Sequence, residues 1–135
     1  MREETVLFDG DCGVCSYAVL RIAPLLPASV VFRAHQSFDE TGLAALGTTR
    51  LACTQRVQFV NASGIISSGG AACTDLLERS TTPLRRLAFI ARLPILRSLV
   101  NVLYDCFAAN RATISRTFGL TACRLPIARD GTSPL

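Results

Sequence analysis

Cys12 and Cys15 form a Cys-x-x-Cys pair within Asp9-Gly10-Asp11-Cys12-Gly13-Val14-Cys15, the stretch of this chain best equipped for chemistry. Before it, Thr5-Val6-Leu7-Phe8 reads as a short apolar strand, and after it residues 13–26 have helical periodicity. A cysteine at a helix start lies where backbone N–H groups and the helix dipole favour its anion. The thiolate is the reactive form, and a second cysteine one turn further on can displace whatever the first has captured. The expected chemistry is thiol–disulfide exchange, with Cys12 as the exposed nucleophile and Cys15 as the buried resolving thiol. Asp9 and Asp11 act on the same thiol. Their carboxylates raise its pKa while the helix start lowers it, and either one can cap the turn through a side-chain oxygen.

The remaining cysteines have plainer readings. Cys73 and Cys106 lie among apolar neighbours on helical segments and are expected in the core. Cys53 and Cys123 are candidates for a third thiol near the pair, with structural burial the alternative for both. A structural zinc site wants four ligands, commonly from two close pairs. This chain has no second Cys-x-x-Cys and no His-x-x-x-His, and His35 is its one histidine. No resident metal or cofactor is therefore expected. A metal held or delivered by Cys12, Cys15 and one further cysteine is kept as the alternative.

The elements that must position the pair alternate between strand and helix. Residues 28–34 are short and β-branched, a second strand. Residues 39–46 suit a short helix with Asp39 or Thr41 as its cap and Gly47 as its stop. Residues 56–60 alternate with period two, Asn61-Ala62-Ser63-Gly64 is a turn, and residues 65–67 return, which predicts a hairpin. Gly69-Gly70 then opens a helix to about Arg79, with Ala72, Cys73, Leu76 and Leu77 on its inner face. Beyond Pro83 the pattern is continuous helix, residues 84–92 and then 95–118, with Pro94 in the first turn of the second. Leu96, Leu99, Val100, Leu103, Phe107 and Ile114 make an apolar stripe along it. The order predicts an α/β fold, a βαβ–ββα core with a mixed central sheet plus C-terminal helices, and puts the pair at the carboxyl end of strand one. With no linker or repeat in view, residues 1–128 are expected to form one domain including the helical extension, and residues 129–135 a flexible tail.

Composition narrows the function classes. Half of the 135 residues are hydrophobic and 18% are charged, which excludes a disordered chain and allows a real core. All fourteen basic residues are arginine, against ten acidic ones, for a net charge of +4. The lack of lysine fits the codon bias of a GC-rich, bacterial genome, and the arginines are spread along the chain, so no nucleic-acid surface is expected. Met1-Arg2-Glu3-Glu4 runs into the first strand without an apolar leader, so the expected location is cytoplasmic. There most cysteines stay reduced, and at most one pair does redox work. The longest uncharged stretch, residues 57–74, is broken by glycine and serine and is no membrane span. The arginine-bearing helices over residues 84–97 could lie on a membrane surface. Covering the core is the preferred reading of them, which leaves peripheral membrane contact as the alternative.

Several of these blocks together resemble one family. Asp9-Gly10-Asp11-Cys12-x-x-Cys15, Gln36-Ser37, the Gly-Gly-x-Ala stretch near residue 70, and Tyr104 with Ala109-Asn110-Arg111 and Cys123-x-Leu125-Pro126 are similar to the DCC family of thiol–disulfide oxidoreductases. The likeness runs from about residue 5 to residue 126. It implies a thioredoxin-like fold with an N-terminal redox pair, acting on a protein or small-molecule thiol or disulfide and served by a separate reductant. Residues 68–77 are also similar to the glutaredoxin segment whose helix start holds the glutathione carboxylate, which makes Gly69 and Gly70 candidate substrate-binding residues. Thioredoxins and glutaredoxins place a cis-proline before their third strand, whereas this chain has no proline between Pro27 and Pro83. Cys53, Thr54, Gln55 and Arg56 are expected to face the pair instead, with Arg56 adding positive potential near Cys12. The missing proline also leaves the dithiol more open to metal. Asn110 and Arg111 are expected to fix the C-terminal helix onto the domain. A non-catalytic interaction module on the same scaffold is the remaining alternative.

Overall fold

The computed structural model describes residues 3–119. Its centre is β1 (Glu4–Phe8), whose apolar residues are buried on both faces of the sheet. Because strand side chains alternate, Val6 and Phe8 meet Val19, Phe32, Phe59, Ala72 and Leu76 on one face, while Leu7 meets Leu43 and Cys53 on the other. A strand sealed on both sides needs a helical layer on each. The first layer is α1 (Gly13–Ile22) with α4 (Gly70–Arg79), and the second is α2 (Glu40–Ala45) with α3 (Arg50–Gln55). Burying a side chain such as Phe59 or Leu7 in full contributes about 2–3 kcal/mol.

The sheet runs β2-β1-β3-β4. β2 (Val30–Ala34) lies parallel to β1, with Val6 opposite Phe32. β3 (Gln58–Val60) is antiparallel to β1, and β4 (Ile66–Ser68) closes the hairpin. Its turn is held by Asn61, whose Oδ1 accepts the N–H groups of Ser63 (2.9 Å) and Ile65 (3.0 Å). This is the thioredoxin-like βαβ–ββα arrangement with its mixed sheet. Arg79 ties α4 to β1. Its guanidinium donates to Glu4 Oε2 at 2.7 Å and lies over the Phe59 ring, 4.6 Å from the centroid.

Several expectations are corrected. α1 ends at Ile22 and passes into a 3-10 turn over Ala23–Leu25, since Pro24 has no N–H to continue the α pattern. Cys53, Thr54 and Gln55, expected only as the approach to the third strand, are helical, and β3 starts at Gln58 rather than at Arg56. They belong to α3, whose start is capped by Thr49 Oγ1 accepting from the Ala52 N–H at 3.2 Å. Cys73 and Cys106 are exposed rather than in the core.

α5 (Arg85–Ala91) and α6 (Pro94–Thr117) complete the described chain, and α6 packs on α1 and α4. Of the expected stripe, Leu96, Val100, Phe107 and Ile114 are half-buried, while Leu99 and Leu103 are exposed. No residue of α6 is fully buried. Cys123, the Cys-x-Leu-Pro element and the expected flexible tail lie outside the described residues.

Candidate active site

The reactive pair is built at the junction of β1 and α1. Cys12 is the N-cap of α1 in extended conformation (φ −94°, ψ 114°), and its Sγ accepts the Cys15 N–H at 3.3 Å. The next free amide of that turn, Val14 N–H, donates to Ser115 Oγ of α6 at 3.1 Å. Two of the unpaired N–H groups of the α1 start are therefore taken, one by the thiol itself. Both cysteines are reduced and half-buried.

These contacts separate the two thiols. Side-chain hydrogen bonding from Cys15, against the opposing effect of burial, together with the Cys15 N–H and the Arg111 charge, lowers the Cys12 pKa to about 6. The Asp9 charge works against the shift. Cys15 is driven strongly upward, first because its proton is held on Cys12, then by burial and the neighbouring negative charge. One thiol is thus poised as thiolate at neutral pH, and its partner keeps its proton.

A polar network fixes the turn before Cys12. Asp9 Oδ1 accepts from the Asp11 N–H (3.0 Å) and from Gln36 Nε2 (2.7 Å), and the Asp9 carbonyl accepts from the Cys12 N–H (3.2 Å). Gln36 sits just beyond β2. It also donates to Asp11 Oδ2 (3.2 Å), and its Oε1 accepts the Gly10 N–H (3.1 Å). A Cβ at position 10 would come within 2.9 Å of the Ala34 Cβ, so the turn can lie this close to β2 only with glycine there. His35, 3% exposed, places Nε2 3.8 Å from Asp9 Oδ1, and burial lowers its pKa.

The guanidinium that acts on Cys12 is Arg111, not Arg56. Arg56 pairs with Asp105 at 2.8 Å, both on the surface. Arg111, on α6, donates to the Thr54 carbonyl at the end of α3 and stands 3.5 Å from Asp9 Oδ2. The 53–56 segment therefore borders the site through one carbonyl and Arg111. Asn110, expected beside Arg111 as a fastening residue, only donates back to the Cys106 carbonyl of its own helix at 2.7 Å.

Two further candidates are placed elsewhere. Cys53, 1% exposed, is sealed on the far face of the sheet with Leu7 and Leu43, its sulfur 3.8 Å from Thr48 Oγ1, so it offers the pair no third thiol. Gly69 and Gly70 do not face a substrate space. Gly69 has φ +59°, which favours glycine, and a Cβ on it would meet the Tyr104 ring at 3.2 Å. A Cβ on Gly70 would lie 2.6 Å from Asn101 Oδ1 and 2.9 Å from the Asn101 Cα. The start of α4 is thus covered by α6, and the glycines are there to let the two helices meet. Tyr104 also uses its hydroxyl to accept the Val57 N–H at 2.8 Å, just before β3.

Beside Cys12 lies a cleft of about 330 Å³ lined by Asp9, Asp11, Cys12, Gly13, Arg111, Ala112 and Ser115. Among the described residues, no group of three His, Cys, Asp or Glu side chains is arranged to hold a metal. Gln36 and Ser115 at the site, and Tyr104 in the docking of α6, are residues to which sequence reasoning assigned no role. Gln36 and Tyr104 stand in blocks of the family likeness, which was the available signal, while nothing marks Ser115.

No curated protein and no solved structure matches the chain. The sequence pattern of the DCC1-like thiol–disulfide oxidoreductases matches residues 6–117. That span takes in both walls of the cleft, from β1 to the Arg111 end of α6, and the chain belongs to the DCC1-like thiol–disulfide oxidoreductase family.

Proposed function

We propose that the protein exchanges a disulfide with a protein or small-molecule substrate through Cys12 and Cys15. Thiolate Cys12 attacks one sulfur of the substrate disulfide, that S–S bond breaks, and the first substrate thiolate leaves. Cys15 then gives up its proton and attacks Cys12 Sγ, which expels the second substrate thiolate and leaves a Cys12–Cys15 disulfide. The substrate has gained two electrons and the protein has lost them, and an external dithiol restores the pair. The reverse sequence oxidises a dithiol substrate.

The observation that carries this reading is the asymmetry of the pair. Cys12 Sγ caps α1 and receives the Cys15 N–H at 3.3 Å, and the Cys12 pKa is lowered while that of Cys15 is raised. An attacking thiol works best with a pKa near ambient pH, and a resolving thiol must wait until the mixed disulfide has formed. Sealing of Cys53 away from the pair favours redox work over a three-cysteine metal site. With Gly69 and Gly70 covered by α6, the cleft that Cys12 itself lines with Arg111 and Ser115 supports substrate approach there.

Paired variants test the reading. Cys12→Ser is expected to abolish disulfide reductase turnover. Cys15→Ser is expected to accumulate a mixed disulfide that a non-reducing gel or mass spectrum detects. Turnover retained in Cys12→Ser would refute the assignment.

A further inference from the structure

The chain's charge is distributed in an unusual way. Residues 83–104 contain Arg85, Arg86, Arg92 and Arg97 and no Asp or Glu, while the rest of the chain holds ten arginines and ten carboxylates. The whole net charge of +4 therefore sits on α5 and the first half of α6. The same segment leaves its large apolar side chains outside. Phe89 is 79% exposed and Ile95 84%, with Leu87, Ile90, Leu93 and Leu99 also exposed. They cluster in sequence around the break between the helices, which are bent by 103°. Arg85, Arg86 and Arg97 are exposed and form no ion pair with a described residue, whereas Arg92 is held by Glu78 at 2.7 Å. A cleft of about 350 Å³ between α4 and the bend is lined by Arg92 and Arg97, with Ser67, Thr74 and Asp75 opposite.

We propose that the α5–α6 bend seats the protein on an anionic phospholipid surface. Phe89, Leu93 and Ile95 enter the boundary between headgroups and acyl chains, and Arg85, Arg86 and Arg97 meet lipid phosphates. Exposed apolar residues at a bend, combined with arginines that pair with no described carboxylate, are the two features that interfacial helices use together. A second copy of the chain is the poorer occupant, because two-fold pairing of this face would bring each arginine cluster towards its own copy. No single described helix is long and apolar enough to cross a membrane, and α5 and α6 pass that test only as a pair bent by 103°. The contact proposed is a peripheral one. Along α6, Pro94 and Ser115 are about 32 Å apart at 1.5 Å per residue, so the bend and the thiol cleft lie towards opposite ends of that helix.

The chain has no tryptophan, so Phe89→Trp introduces a single reporter at an exposed position. With vesicles of phosphatidylglycerol and phosphatidylcholine its emission is expected to shift to the blue, and with phosphatidylcholine alone to stay unchanged. Sedimentation with the same vesicles should weaken roughly fivefold for each of Arg85→Gln, Arg86→Gln and Arg97→Gln. It should weaken again in Phe89→Ser with Ile95→Ser, with the circular dichroism and melting of each variant intact. Equal binding to neutral vesicles, no binding to anionic ones, or full binding by the Phe89→Ser, Ile95→Ser protein would overturn the proposal. So would a blue shift that appears without lipid as protein concentration rises, which would identify a second copy as the occupant.

Discussion

Arg111 and Asp9 face each other at 3.5 Å from opposite ends of the described chain, and they act on Cys12 in opposite senses. The guanidinium favours the thiolate and the carboxylate disfavours it. Asp9 also builds the turn that carries Cys12, through the Asp11 and Cys12 amides and Gln36. The residue that organises the site is thus electrostatically unfavourable to it, and Arg111 offsets that cost.

Arg111→Ala should raise the pKa of Cys12 above about 6, because Asp9 is then unopposed. A less stable thiolate means a less stable reduced form, so the reduction potential should fall as well. Arg56→Ala should leave both unchanged, since Arg56 is spent on Asp105. Thiolate absorbance against pH, with alkylation rate as a second readout, measures the first effect. Equilibration with glutathione measures the second.

Gly70→Ala should destabilise the protein by about 1–3 kcal/mol, as overpacking typically does. The new methyl would meet the backbone of Asn101 at 2.9–3.0 Å, and a helix backbone cannot rotate aside as a side chain can. Displacing α6 also withdraws Arg111 and Ser115 from the thiol, so turnover should fall together with the melting temperature. Thermal denaturation and a reductase assay on the same variant check both.

Cys53→Ala should lose about 1 kcal/mol of stability from the smaller buried side chain and keep full turnover. Its thiol is sealed beneath the sheet and raised by burial, so it neither attacks nor relays. A changed turnover with an unchanged fold would show that it takes part after all.

Much of this architecture was legible in local pattern. The strands of the hairpin, the Asn61 turn, the Asp39 cap and the placement of Cys12 at a helix start follow from signals a few residues wide. α3 was missed because its six residues are too short for periodicity to declare, although Thr49 was a usable cap signal. Arg56 was preferred to Arg111 for a different reason. Sequence proximity to β3 suggested it, whereas only the docking of α6 on α1 and α4 decides which guanidinium reaches the cleft. The same holds for Gly69 and Gly70. A glycine pair at a helix start signals close approach, but what approaches is a tertiary fact, and here it is Asn101 and Tyr104.

His35 should give the fold an acid-sensitive component. Burial lowers its folded-state pKa from 6.5, with the Asp9 charge pulling the other way. As pH falls through 6.5 the unfolded chain takes up a proton that the folded one refuses, so stability falls, by at most about 1.4 kcal/mol per pH unit. Above that pH the contribution is constant. Urea midpoints between pH 7.5 and 5 should decline in wild type and decline less steeply in His35→Leu.

α6 is fastened to the rest of the molecule without a single fully buried residue, by Ser115 to Val14, Tyr104 to Val57, Arg111 to Thr54 and Asp9, Asp105 to Arg56 and a half-buried apolar edge. β1, by contrast, is sealed between two helical layers. Elements with few buried contacts open at a lower free energy than the core they rest on. On warming, α6 is therefore expected to lift away first and to take one wall of the cleft with it. Reactivity of Cys12 should then change at a temperature where the sheet is still intact, and should return on cooling without the sheet having to refold.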